Sequence, residues 1–171
     1  MPSICGMKHF LSSLLLLCII SVQAQTEQPL APYLRFPKSI PLQLLLPDST
    51  THYTLESVPA KKALLVMVFS PECEHCKTLT REILASYESF RDIEIVMATP
   101  LSLEKIRIFR QEFNLAKYPG IITGQDEKYL LPVYYDLKFF PFLALYSKKK
   151  ELITGLSSSV TVPLILEKFG K

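Results

Sequence analysis

A run of seven consecutive apolar residues at 63–69 (ALLVMVF) limits the fold more than any other feature of the chain. The run lacks the alternation of a strand with one wet face, and it is typical of a strand covered on both faces, as in a parallel sheet. An amphipathic helical pattern follows over 74–90, and Ile93–Thr99 predicts a second buried strand. This order of strand, helix and strand indicates an α/β protein.

Other patterns continue the alternation along the chain. Ser102 is expected to cap a helix that ends at 113, and Ser159 a last helix that ends at 169. Pro132 suits the first turn of a short helix through 136. Apolar runs and turn residues predict the remaining elements: a hairpin over 42–46 and 50–55, a strand or loop over 118–124, and a closing hairpin over 142–146 and 151–154. We therefore expect a central mixed sheet with helices on both faces and an N-terminal β extension.

The first 24 residues are predicted to be a secretory signal peptide rather than part of the fold. Lys8 precedes an apolar run of 11 residues, whereas a membrane-spanning helix needs roughly 20. Small residues at positions 22 and 24 predict cleavage after Ala24. A membrane anchor and a buried first helix are the alternatives, and Met7 is an alternative start to Met1.

The rest of the chain divides into two parts. Residues 25–41 are rich in proline and are expected to form an extended lead-in, and 42–171 the folded domain. The chain has 19 basic and 16 acidic residues, a net charge of +3 and a hydrophobic content of 49%. The charge balance argues against a nucleic-acid-binding protein, and the apolar content argues against a disordered chain.

The number and positions of the cysteines indicate the cellular compartment in which the protein resides. The chain has four cysteines, and removal of the leader would take away Cys5 and Cys18 and leave Cys73 and Cys76. Disulfides persist in oxidising compartments outside the cytosol. We expect an exported protein, with the periplasm favoured and secretion as the alternative.

Cys73 and Cys76 form a CxxC pair where the buried strand ends and the amphipathic helix begins. Free N–H groups and the helix dipole at a helix N-terminus favour an anion, and hence a reactive thiolate. One helical turn separates the two sulfurs, so they can close a disulfide and reopen it through a mixed disulfide. Cys73 is the expected attacking thiol and Cys76 the resolving thiol, and this redox-active disulfide needs no other cofactor.

Charged neighbours of the pair act in opposite directions. A protonated His75 and Lys77 would stabilise a thiolate, whereas Glu72 and Glu74 would destabilise it. These charges are expected to tune the reduction potential, on a scale where roughly 30 mV corresponds to 1.4 kcal/mol.

A CxxC pair has three other uses in proteins. A zinc site wants four ligands, and beside Cys73 and Cys76 the mature chain offers His52 and a badly placed His75, so no metal is expected. A structural disulfide would close a loop of only a few residues, which stabilises little. The third alternative is a binding module in which the pair has no redox role.

Two segments resemble the landmarks of the thioredoxin superfamily. Residues 66–81 (VMVFSPECEHCKTLTR) resemble its active-site segment, and 139–146 (FFPFLALY) resemble the strand opened by its cis-proline, at Pro141. The resemblance covers roughly 42 to the last residue and is strongest to the exported TlpA-like branch of thiol-disulfide oxidoreductases. It implies a thioredoxin-like fold, disulfide exchange with protein thiols, and Pro141 facing the cysteine pair in a substrate groove.

Three positions depart from the pattern of that superfamily. Glu72 stands where many members have tryptophan, and Met67 where some have a buried acid that moves protons to the second cysteine. Phe140 precedes the proline where a smaller residue is usual, so it is expected to narrow the groove or give it an apolar preference. Tyr134 and Tyr135 are expected to pack below it.

The leading functional hypothesis is an exported thiol-disulfide oxidoreductase. The resemblance leans towards reduction of protein clients, with electrons from a membrane or periplasmic donor. The second hypothesis is a thioredoxin-like copper-handling or client-binding module without redox turnover, since Cu(I) prefers soft thiolates. A thiol peroxidase is disfavoured, because Ser70-Pro71-Glu72-Cys73 is one residue short of the expected spacing. The sequence does not indicate an oligomeric state.

Overall fold

Two buried parallel strands, β3 (Ala63–Val68) and β4 (Ile93–Thr99), form the middle of the sheet. The computed structural model describes residues 29–171, so the predicted signal peptide, with Cys5 and Cys18, lies outside the described residues. The other strands are β1 (Gln43–Leu45), β2 (His52–Thr54), β5 (Ile121–Gln125), β6 (Phe142–Tyr146) and β7 (Leu152–Leu156). The helices are α1 (Pro32–Arg35), α2 (Glu74–Ala85), α3 (Leu103–Glu112), α4 (Leu130–Tyr134) and α5 (Val162–Lys168).

The strands form one mixed sheet in the order β2-β1-β5-β4-β3-β6-β7. Pairing is parallel between β3, β4 and β5, and antiparallel at both edges. The closing hairpin β6–β7 therefore adds an antiparallel edge beside β3, and the N-terminal hairpin β1–β2 adds one beside β5. The predicted α/β class with a mixed sheet is confirmed.

The apolar run of β3 is buried on both faces of the sheet, as predicted. Side chains alternate along a strand, and Leu65 and Met67 pack on one face with α2, α3 and α5. Leu64 and Val66 pack on the other face with α4 and with the segment that leads into β1. Since both faces are covered, the strand needs no polar residue, and the sequence shows none.

Helix α2 ends earlier than the apolar periodicity suggested. It stops at Ala85, and a short 3-10 helix follows over Tyr87–Phe90. The Tyr87 hydroxyl accepts the Gly120 N–H at 2.9 Å, and its ring packs edge-on against Tyr118. These long-range contacts hold the segment in a position that a continued α-helix would not reach, and they leave no trace in local periodicity.

The start of one helix differs from its prediction. Ser159 does not cap α5: the Thr161 hydroxyl accepts the Leu164 N–H at 3.4 Å, and proline in the first turn sets the start there. Helix α4 begins at Leu130, so Pro132 lies in its first turn as predicted, and a buried carboxylate, Asp126, accepts the first two helical N–H groups; the helix ends at Tyr134 rather than at 136. Ser102 does lie at the start of α3, but its side chain makes no capping hydrogen bond within the described part of the chain.

The described part of the lead-in contains one turn of helix. Residues Pro32–Arg35 form the one-turn helix α1. The Tyr33 ring packs edge-on against Tyr135 and Phe142, with ring centroids 5.6 and 5.7 Å apart. This aromatic packing ties the lead-in to the sheet.

One acid is buried inside β4. Glu94 is 5% exposed and forms an ion pair with Lys62 at 2.9 Å. The Tyr53 hydroxyl of β2 donates to it at 3.3 Å, and burial, with the Glu94 charge, raises the pKa of Tyr53, which keeps that phenol a donor. The carboxylate thereby joins the N-terminal hairpin to the centre of the sheet.

Among the described helices, none combines the length and the apolar character needed to cross a bilayer.

Gly124 of β5 is predicted to be needed for the attachment of the N-terminal hairpin. A Cβ at this position would lie 2.7 Å from the Leu44 Cβ and 3.2 Å from the Leu45 carbonyl oxygen. We expect Gly124→Ala to lower the free energy of unfolding by about 1–3 kcal/mol through overpacking, as measured by denaturant titration. Gly120→Ala is the control, since its Cβ would first meet the hydroxyl end of Tyr87 at 3.0 Å. An equal or larger loss in the control contradicts this account.

Candidate active site at the start of helix α2

The CxxC segment lies at the carboxyl end of β3. Cys73 occupies the N-cap position of α2 with an extended backbone, and its N–H donates to the Ser70 carbonyl at 3.1 Å. Its own carbonyl accepts the Lys77 N–H at 3.0 Å and so begins the helix. The turn between strand and helix therefore places the Cys73 sulfur at the helix N-terminus.

The two cysteines contact each other through the first turn of α2. The Cys73 Sγ accepts the backbone N–H of Cys76 at 3.4 Å, in the manner of an N-cap oxygen. Cys73 is partly exposed and Cys76 is fully buried, and both are free thiols. One sulfur is accessible to a partner, and the other lies behind it.

Burial also changes the acidity of the inner thiol. It is the main cause that raises the pKa of the Cys76 thiol far above its ordinary value, and the adjacent Cys73 sulfur raises it further. Cys76 therefore stays protonated around neutral pH. Only Cys73 combines exposure with the free N–H groups of a helix start, which favour a thiolate.

The loop before β6 faces the sulfur pair. The Phe140–Pro141 peptide bond is cis, and the Cys73 thiol donates to the Phe140 carbonyl oxygen over 3.9 Å. The Phe140 side chain packs against the clusters on both faces of the sheet. Pro141 thus follows a residue whose carbonyl oxygen contacts the Cys73 sulfur.

The acids near the pair are matched by lysines. Glu72 forms an ion pair with Lys105 of α3 at 2.6 Å. Lys77 lies between Glu74 at 3.8 Å and Glu112 at 3.5 Å. Sequence reasoning missed Lys105 because it follows Glu72 by 33 positions and carries no local motif.

His75 points into a cavity of about 340 Å³ beside the cysteine pair. The cavity lies between α2 and residues 157–160, and Phe140 and Pro141 close its end. All of the predicted groove residues except Glu72 and Glu74 line it, and those two side chains are mostly exposed. Cys73 therefore stands between this groove and the ion pair of Glu72 with Lys105.

The structure also shows where His52, Met67 and Tyr135 lie. His52 lies on the outermost strand and pairs with Glu127 at 3.6 Å, and within residues 29–171 no three His, Cys, Asp or Glu side chains converge as metal ligands. Met67 packs in the same cluster as Cys76, so an apolar side chain fills that position. Tyr135 is fully buried and its hydroxyl lies 2.9 Å from that of Tyr146, in the cluster against which Phe140 packs.

Comparison with known proteins identifies the fold. No protein-family model and no curated protein sequence matches the chain. A secreted disulfide oxidoreductase of Mycobacterium tuberculosis, homologous to E. coli DsbE, superposes with a TM-score of 0.61 at 11% identity, over 75% of this chain and 95% of the other. StoA of Bacillus subtilis gives 0.57 at 13%, over 74% and 94%.

A third solved structure agrees with these two. The exposed lipoprotein thioredoxin of Streptococcus pneumoniae gives a TM-score of 0.56 at 17% identity, over 75% of this chain and 96% of the other. The chain has a thioredoxin-like fold, and the predicted fold is confirmed.

The unequal burial of the thiols predicts selective alkylation. At neutral pH, iodoacetamide is expected to modify Cys73 of the folded dithiol form and to leave Cys76 unmodified, since the raised pKa and full burial of Cys76 remove both thiolate and access. Peptide mapping by mass spectrometry measures this. Both residues should react once the protein is unfolded in denaturant. Labelling of Cys76 as fast as Cys73 in the folded protein contradicts the arrangement.

Lys105 is predicted to shield Cys73 from the charge of Glu72. Lys105→Met leaves that carboxylate unpaired one residue from the thiol, and we expect alkylation of Cys73 to slow roughly threefold at low salt and less at high salt. Glu72→Gln should show no slowing, and Lys61→Met, which changes an exposed lysine before β3, is the control. Unchanged alkylation in Lys105→Met would mean that the ion pair has no influence on the thiol.

Proposed function

We propose that the protein is an exported thiol-disulfide oxidoreductase that exchanges disulfides with protein thiols through Cys73 and Cys76 and acts mainly as a reductase. The observation that carries this proposal is the partly exposed Cys73 sulfur at the N-terminus of α2, 3.4 Å from the backbone N–H of a fully buried Cys76. A helix N-terminus activates the outer sulfur, and the inner sulfur is placed to resolve.

The first step is attack of the Cys73 thiolate on one sulfur of a client disulfide. A bond forms between Cys73 and that sulfur, the client S–S bond breaks, and the departing client thiolate takes up a proton. The Phe140 carbonyl, 3.9 Å from the Cys73 sulfur, lies where a client backbone would approach. The product is a mixed disulfide.

The second step depends on Cys76. The charge and hydrogen bonding of Cys73 contribute to the raised pKa of the Cys76 thiol, and both change once Cys73 is covalently bound to the client. The Cys76 sulfur attacks the Cys73 sulfur, the bond from Cys73 to the client sulfur breaks, and the Cys76 proton passes to the departing client thiolate, so that the Cys73–Cys76 disulfide closes and the second client thiol is released. Two electrons pass to the client, and a dithiol protein at the membrane or in the periplasm would restore the pair.

Export and the reductive direction have indirect support. The predicted leader 1–24 favours export, and the resemblance to the TlpA-like branch favours both export and reduction. Among the proteins of similar fold, the mycobacterial one is described as secreted and the pneumococcal one as an exposed lipoprotein. A compartment in which disulfides persist also gives such a pair substrates.

Substitution of each cysteine tests the function. Cys73→Ser should abolish reduction of insulin disulfides, because no accessible thiolate remains, whereas Cys76→Ser should accumulate a mixed disulfide that cannot be resolved. Reduction is measured by the turbidity that reduced insulin produces, and the mixed disulfide by non-reducing electrophoresis. Denaturant titration checks that both variants fold. Parent-like activity of Cys73→Ser would refute the proposal. Tight binding of Cu(I) without turnover in the unmodified protein would instead support a copper-handling module.

A further inference from the structure

A stripe of α2 residues continues the groove beyond the cysteine pair. His75, Leu79 and Glu82 follow one another at spacings of four and three, so they lie on one face of the helix, and Ser86, directly after its last residue, extends the stripe by four positions. The cavity beside Pro141, of about 340 Å³, and a second one of about 730 Å³ both include Glu82 in their walls. The two cavities therefore adjoin at Glu82, and together we call them the α2 groove.

The opposite wall of the α2 groove changes character along its length. Near the cysteine pair it consists of three serines, at 157–159, and Val160. At the far end it is formed by Thr161, Val162, Pro163 and Leu166. The groove is thus polar at its rim near the sulfur and largely apolar at its far end.

The length of the groove suits an extended peptide. The α2 stripe spans 75–86, which at about 1.5 Å per helical residue is roughly 16 Å. An extended chain covers that distance in about five residues. A client held on Cys73 by a mixed disulfide would have its neighbouring residues at the mouth of the groove, because His75 and Pro141 line that end.

Glu82 is the acid that faces the groove. It is exposed, and it forms no ion pair within residues 29–171. The other ionisable groups on the walls are His75 at the mouth and Lys171 at the far end, and Lys171 is bound by Asp92 and by the Ser89 carbonyl. The middle of the groove is therefore negative.

We propose that the α2 groove binds an extended segment of the client, and that Glu82 selects clients with a lysine or arginine about four residues from the reactive cysteine. Glu82 follows Cys73 by nine positions, or roughly 13 Å along the helix, a distance that about four extended residues cover. Apolar client residues beyond the cation would occupy the far end. The inference rests on the proposed function and adds a substrate class to it.

Trapping kinetics with synthetic peptides test the inference. The probes are peptides with one cysteine activated as a disulfide with thionitrobenzoate, carrying lysine or glutamate four residues before or after that cysteine. The Cys76→Ser protein is used, because it forms the mixed disulfide once and releases a coloured thiolate. In at least one of the two chain directions we expect the lysine peptide to react roughly fivefold faster than the glutamate peptide at low salt.

Changes at Glu82 should alter that preference and nothing else. We expect Glu82→Gln to remove most of it and Glu82→Lys to reverse it, whereas Glu88→Gln, an exposed acid outside the groove, should keep it. Equal rates for the two peptides in both directions, or a preference that survives Glu82→Gln, would overturn the groove assignment.

A small uncharged disulfide, 2,2′-dipyridyl disulfide, separates the groove from the chemistry. It carries no charge and does not extend to Glu82, so all of these variants should react with it at similar rates. A normal reaction with the small disulfide together with no peptide preference would overturn the groove alone. Failure to react with the small disulfide would overturn the proposed function, and the groove assignment with it.

Discussion

The first turn of α2 sets the properties of the site, because the Cys73 sulfur replaces an N-cap oxygen and accepts the Cys76 N–H at 3.4 Å. This contact fixes the spacing of the two sulfurs and places the positive end of the helix at the exposed one. It also leaves Cys76 buried among apolar side chains. We therefore expect two chemically identical thiols to differ in reactivity because of one feature of the backbone geometry.

The sheet holds that turn and brings distant segments to it. Strand β3 is paired on both edges and packed on both faces, so its carboxyl end is firmly placed. Because β6 runs antiparallel to β3, with Val68 opposite Phe142, the start of β6 lies where β3 ends. Pro141, which follows Cys76 by 65 positions, consequently lies near the cysteine pair. Lys105 reaches Glu72 from α3, which follows β4 and packs on the same face as α2.

Sequence patterns predicted the parts of the structure that depend on local or periodic signals. The uninterrupted apolar run predicted a strand covered on both faces, and the CxxC spacing at its end placed both cysteines on the first helical turn. Side-chain contacts outside the periodic pattern were not predicted. Asp126 caps α4 from four positions before Leu130, Thr161 rather than Ser159 caps α5, and Glu94 is buried in β4 with Lys62, 32 positions away. Periodicity does not decide which of several nearby polar residues caps a helix, and the ion pair depends on a partner that the tertiary fold supplies.

The redox equilibrium of the Cys73–Cys76 pair tests the account most directly. The protein would be equilibrated in buffers of reduced and oxidised glutathione, with dithiothreitol buffers for the most reducing conditions, then quenched and alkylated, and the disulfide fraction would be measured by peptide mapping. We expect one reversible two-electron transition at a potential above the roughly −300 mV below which structural disulfides typically lie. A pair that remains reduced in every buffer, or a disulfide that no buffer reduces, would contradict a role in disulfide exchange.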